Sequence, residues 1–150
     1  MAKIVAISIS EKKGIPKDNV SQITCVEEHG LEGDAHGGPW HRQVSLLGQE
    51  SIDKMIASGV DGLKPGKFAE NITTEGIVLW ELPVGTKMEI GETLHEVTQI
   101  GKECHSKCAI YHQVGNCVMP TEGIFTRVLQ GGVIRPGDAI QIIMRPSEVV

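Results

Sequence analysis

Eighteen glycines and seven prolines punctuate the 150 residues, and the stretches between them are short, alternating and rich in β-branched side chains. Such a chain has few places for a long helix and many for short strands joined by tight turns. Lys3 to Ser10 alternates Ile4, Ala6 and Ser8 against Val5, Ile7 and Ile9, and reads as a strand. Glu11 to Asp18, broken by Gly14 and Pro16, reads as a turn. Further strands are expected over Gln22 to Glu27, Arg42 to Leu47, Asn71 to Thr74, Lys87 to Ile90, Leu94 to Ile100, Ile124 to Leu129 and Ala139 to Met144. Gln49 to Ser58 is the clearest helix, with Ile52, Met55 and Ile56 on one face and Gly59 as its stop. Ile90-Gly91-Glu92-Thr93 suits a hairpin, and Cys108 to Val114 fits a strand or a helix equally. The pattern predicts a mainly β fold, a strongly bent sheet or a closed β-barrel with a few short helices. One domain, residues 1–150, accounts for the length.

Charge and composition narrow the function. Fourteen Lys and Arg against nineteen Asp and Glu give a net charge of -5, the wrong sign for nucleic acid as the main partner. Only five aromatics, Trp40, Phe68, Trp80, Tyr111 and Phe125, are available for stacking. No apolar run approaches the roughly 20 residues of a membrane helix, and the N-terminal alternation is not that of a signal peptide, so a cytoplasmic protein without membrane attachment is expected.

Four constellations carry chemistry. In Lys102-Glu103-Cys104-His105-Ser106-Lys107-Cys108 the neighbouring cations would lower the pKa of the Cys104 thiol toward the reactive thiolate, with His105 placed to move a proton. Cys104, Cys108 and Cys117 with His105 or His112 would also make a zinc set, although the C-x3-C and C-x8-C gaps lack a tight ligand pair. Cys25 stands alone and reads as a core residue. The glycine-rich His29 to Arg42 segment (HGLEGDAHGGPWHR) exposes backbone N–H groups, with Arg42 as a fork for phosphate or carboxylate. A metal triad of Asp34, His36 and His41 is conceivable there. Glu70 and Asn71 precede a strand and either orient a pocket loop or cap a turn. Arg127 lies on a strand that would face a barrel mouth.

Taken in order, GLEGDAHGG-PWHRQVSLL, FAENITTEG, VTQIGKECH-SKC and EGIFTRVLQGGVIRPGD resemble the MOSC domain family, named for the C-terminal domain of molybdenum cofactor sulfurase, from about residue 3 to about residue 144. The resemblance is to the small stand-alone bacterial type. It implies a sheet or barrel similar to the β-barrel domain of pyruvate kinase, and a role around the molybdenum cofactor. Cys104 matches the residue that carries persulfide sulfur in the family or, in amidoxime-reducing relatives, ligates molybdenum. His36, Gly37, Gly38 and Arg42, together with Glu70 and Asn71, are expected to line the cofactor pocket, with Arg127 nearby. The implied partners are a cysteine desulfurase or other sulfur donor and a recipient molybdoenzyme; a homodimer is compatible with the sequence. The alternative functions are a non-catalytic cofactor carrier and a molybdenum-dependent reductase of N-hydroxylated compounds. Pyridoxal phosphate, often linked to the family, belongs to the fused desulfurase domain of longer relatives, because no lysine here has a Schiff-base context. Two features depart from the pattern. Ala69 replaces a glycine common in the motif, which suggests a less demanding backbone angle or a subgroup feature, and Cys108 and Cys117 are extra thiols.

Overall fold

The computed structural model of the chain describes residues 2–12, 15–57, 59, 64–101 and 122–144. Cys104, His105, Cys108, His112, Cys117 and the Cys108 to Val114 element lie outside the described residues. The fold is mainly β. An eight-stranded sheet runs in the order β11-β7-β8-β9-β5-β6-β1-β2, and a small sheet in the order β10-β3-β4. The strands are β1 (Lys3–Ile9), β2 (Asp18–Val20), β3 (Ile23–Val26), β4 (Gly30–Leu31), β5 (Val44–Gly48), β6 (Ile72–Glu75), β7 (Lys87–Ile90), β8 (Thr93–Ile100), β9 (Ile124–Gln130), β10 (Gly132–Ile134) and β11 (Ile140–Met144). β5 and β6 are parallel and joined through helix α1 (Gln49–Ala57), whereas the other pairings are antiparallel.

The expected elements form for the expected reasons. β7 and β8 meet at the two-residue turn Gly91-Glu92, with Ile90 opposite Thr93 and Gly91 at φ +57°. Helix α1 ends at Gly59, which adopts φ +102°. Its Ile52 and Met55 are buried, but Ile56 is exposed, so the apolar face is narrower than the periodicity implied. Ile4, Ile7, Val44, Leu46, Ile72, Met88, Val97, Ile124 and Val128 fill one core, each contributing by burial roughly 1.5–3 kcal/mol before entropy is counted.

The expected alternative of a closed barrel does not form; the sheet is strongly bent and open. Its ends approach through one bridge, Lys3 to Ala139. Ile4 N–H donates to Asp138 O at 2.9 Å, and Gly137 N–H donates to Ile4 O at 2.7 Å. The Pro136-Gly137-Asp138 turn thus takes the backbone groups that a closing strand would need.

A polar pocket inside the core has a measurable consequence. His95 of β8 is fully buried, with Nδ1 2.9 Å from Thr126 Oγ1 and Nε2 3.0 Å from Thr93 Oγ1. Burial lowers its pKa from 6.5 to about 3, so the folded chain keeps a neutral ring that the unfolded chain protonates below about pH 6.5. The unfolded state therefore binds more protons between these values. Stability from this residue is complete above about pH 6.5 and declines as the pH falls toward 3, with a limiting slope of about 1.4 kcal/mol per pH unit. Denaturant midpoints measured from pH 7.5 to 4.5 are expected to fall, and His95→Gln to flatten the decline; an unchanged slope in the variant would contradict this assignment. Cys25, 3.9 Å from His95 Nε2 and 2% exposed, is a core thiol as expected, and burial pushes its pKa up to about 12.

Candidate functional site

The glycine-rich segment is organised by a charged group from the Glu11 to Asp18 turn. Lys17 is buried, and its Nζ lies 2.6 Å from Asp34 Oδ1, 3.0 Å from His36 Nδ1 and 3.1 Å from Ser10 Oγ. Burial alone would raise the Asp34 carboxyl, but hydrogen bonds from the Lys17 ammonium and the Ser10 backbone N–H, with the ammonium charge, hold it well below the usual carboxylate range. The conceivable triad of Asp34, His36 and His41 is not assembled. The Lys17 ammonium occupies the position between Asp34 and His36, and His41 instead meets Gln99, its Nε2 2.8 Å from Oε1. Gly37 lies close to the His29 ring, and a Cβ there would come within 2.6 Å of His29 Nε2 and make that ring shift. Gly38 N–H donates to His29 O at 2.8 Å.

Glu70 and Asn71 support this segment from behind. Both are fully buried. Glu70 accepts from Gly66 N–H at 2.9 Å, Phe68 N–H at 3.2 Å and the Thr73 hydroxyl at 2.7 Å; burial is the largest influence on its carboxyl and raises its pKa. The turn so fixed packs against Lys17, whose N–H donates to Gly66 O at 2.8 Å. A side chain on Gly66, at φ +94°, would collide with Lys17 O. Asn71 joins three strands: its Oδ1 accepts from Ser45 N–H at 2.9 Å and its Nδ2 donates to Ser8 O at 3.1 Å. The polar atoms of both side chains are thus engaged by internal hydrogen bonds.

The motif's alanine keeps the demanding angle, contrary to expectation, with Ala69 at φ +62°. A left-handed alanine costs roughly 1–2 kcal/mol relative to the right-handed form. Ala69→Gly removes that strain but adds unfolded-state entropy, and thermal melts are expected to show a net gain of roughly 0.5–1 kcal/mol. A destabilised variant would refute this.

From His36 a row of ring contacts leads to the end of the sheet. The His36 and Trp40 rings are parallel with centroids 6.5 Å apart, and the Arg42 guanidinium lies 4.9 Å from the Trp40 centroid and 5.5 Å from that of Phe125. Arg42 Nε is buried and has no hydrogen-bond partner among the described residues, an uncommon condition for such a donor. Beside this row lies a cleft of about 620 Å³, lined by Trp40, His41, Val84, Glu96, Val97 and Arg127 among others. Arg127 lines this cleft, but its charge is engaged: Nε donates to Glu96 at 2.8 Å, and an ion pair of 3.4 Å joins it to Glu28. Gln99, on which His41 rests, also donates to Gly101 O at 2.9 Å, and Gly101 N–H donates to Gly123 O at 2.7 Å.

Residues 32–141 match the family model of the MOSC domain. This chain belongs to the MOSC domain family. The family is associated with molybdenum cofactor-related function. Solved MOSC-fold structures agree with the architecture. The chain superimposes on YiiM from Geobacillus stearothermophilus with a TM-score of 0.75 at 24% identity, covering 96% of this chain and 76% of that one. For the YuaD protein from Bacillus subtilis the values are 0.77, 17%, 94% and 94%, and for YiiM from Escherichia coli 0.71, 18%, 97% and 71%. At these identities the likeness establishes the fold. No curated protein matches the sequence. Among the described residues of this MOSC domain, no cluster of side chains suits a metal ion and no helix is long and apolar enough to cross a membrane.

Proposed function

We propose that this MOSC protein binds the molybdenum cofactor or its metal centre and carries sulfur on Cys104 for delivery to it. The observation that carries the reading is Arg42. Its buried Nε–H lacks a partner among the described residues while its guanidinium plane lies against Trp40 and Phe125, a donor prepared for an anion such as the cofactor's phosphate. The cofactor supplies the molybdenum that accepts sulfur. The site residues of this chain fit that cargo in one further respect: Trp40 offers an aromatic face at the cleft.

In the loading step the Cys104 thiolate attacks the outer sulfur of a persulfide on a cysteine desulfurase. A sulfur–sulfur bond forms to Cys104, the donor's bond breaks, and the donor cysteine leaves as thiolate, with no net change in oxidation level. Lys102, Lys107 and His105 favour the thiolate by charge, and His105 can hold a proton beside it. The recipient is the cofactor destined for a molybdoenzyme.

Incubation with a desulfurase and cysteine is expected to add one sulfur atom to the intact mass. Peptide mapping should place it on Cys104, and Cys104→Ser should abolish it. Arg42→Met should leave this loading intact and reduce molybdenum retained on purification from cells making the cofactor. Sulfur on Cys108 or Cys117, or a zinc ion per chain lost with Cys104→Ser, would overturn the assignment.

A further inference from the structure

The three hydrogens of the Lys17 ammonium match three acceptors: Asp34 Oδ1 at 2.6 Å, His36 Nδ1 at 3.0 Å and Ser10 Oγ at 3.1 Å. The surrounding bonds agree with this direction. Ser10 donates its own hydroxyl hydrogen to Lys12 O at 2.8 Å, which leaves a lone pair toward Lys17. Asp34 is filled by Ser10 N–H on Oδ1 and His36 N–H on Oδ2, both at 3.1 Å. An ammonium has no lone pair, so the imidazole nitrogen facing it must present one. Asp34 Oδ2, the other charged atom near that nitrogen, is 3.7 Å away, too far to compete for a ring hydrogen.

We infer that Lys17 is a positioning residue that fixes His36 as the neutral tautomer with its hydrogen on Nε2. To any ligand atom or neighbour that reaches Nε2, the ring therefore offers a hydrogen and never a lone pair. His36 acts as a donor to acceptor groups, such as phosphate or carbonyl oxygens, and serves neither as a general base nor as a metal ligand through either nitrogen. Protonation of Nδ1 would place a hydrogen against the ammonium, so the ring stays neutral where a free histidine titrates. Among the described residues, the groups facing the ring include Lys17 and Asp34, with Trp40 parallel to it and Arg42 beyond that indole. The donor role toward a ligand rests on the cofactor-pocket reading; the tautomer and the role of Lys17 do not.

The test is long-range proton–nitrogen NMR of the ligand-free, ¹⁵N-histidine-labelled protein, with His36 assigned by its loss in His36→Gln. In wild type, a single Nε2–H tautomer is expected, without titration between pH 5 and 8. Because Lys17→Met alone leaves Asp34 buried and uncompensated, the informative variant is Lys17→Met with Asp34→Asn, which removes both charges. There His36 is expected to become a tautomer mixture that titrates near the ordinary value of about 6.5. A wild-type ring with hydrogen on Nδ1, a mixture, or titration near 6.5 would overturn the inference, as would a folded double variant with the tautomer unchanged. None of these outcomes depends on cofactor, so they stand apart from the persulfide and molybdenum measurements.

Discussion

Glu70→Ala is expected to lower stability by about 4 kcal/mol, read as a fall in the denaturant midpoint at unchanged slope. The side chain is fully buried and receives Gly66 N–H, Phe68 N–H and the Thr73 hydroxyl. Removing it leaves three donors where water does not reach, at roughly 1–3 kcal/mol each, part of which relaxation recovers. Glu70→Gln keeps one acceptor oxygen and should cost clearly less. If the two substitutions prove equally mild, the Gly66 turn does not depend on this carboxylate.

Lys17→Met is expected to be of similar severity, about 3–5 kcal/mol, because it strands Asp34 as an unpaired buried charge. Both side chains of the pair are 0% exposed. The pair as a whole is a different matter: desolvation nearly offsets attraction in buried ion pairs, so removing both charges should cost well under the sum of the two single changes. A thermodynamic cycle over Lys17→Met, Asp34→Asn and the double variant measures this directly. Additive losses would mean that the two residues act separately, contrary to their 2.6 Å contact.

The strands and α1 were legible because apolar alternation and glycine placement act locally, and the hairpin at Gly91-Glu92 was legible for the same reason. β2, β4 and β10 were not, since two or three residues are too few to show a period. Lys17 was hidden by its type: a lysine beside Pro16 reads as solvated turn, and its burial follows only when Asp34, Ser10 and His36 converge from other segments. The Glu70-Asn71 motif was found as a motif, but whether its polar atoms face a ligand or the backbone depends on tertiary neighbours such as Ser45 and Ser8. Ile56 shows the converse limit, as periodicity reports a face but not how much of it is covered.

β9 is the strand that unites the large sheet, with β8 on one side and β5 on the other. Without it, β7 and β8 form one ribbon, and β5, β6, β1 and β2 another. Phe125 and Arg127, against which Arg42 and the cleft are built, both lie on β9. As the chain is synthesised, β5 waits for a neighbour about eighty residues later, a long-range pairing of the kind that closes slowly. The Phe125 ring against the Arg42 guanidinium and the Arg127 wall of the cleft therefore take their places together, and only after the two ribbons have joined. A growing or half-folded chain therefore lacks one wall of the cleft, and the completed cleft is itself a report that the two ribbons have joined.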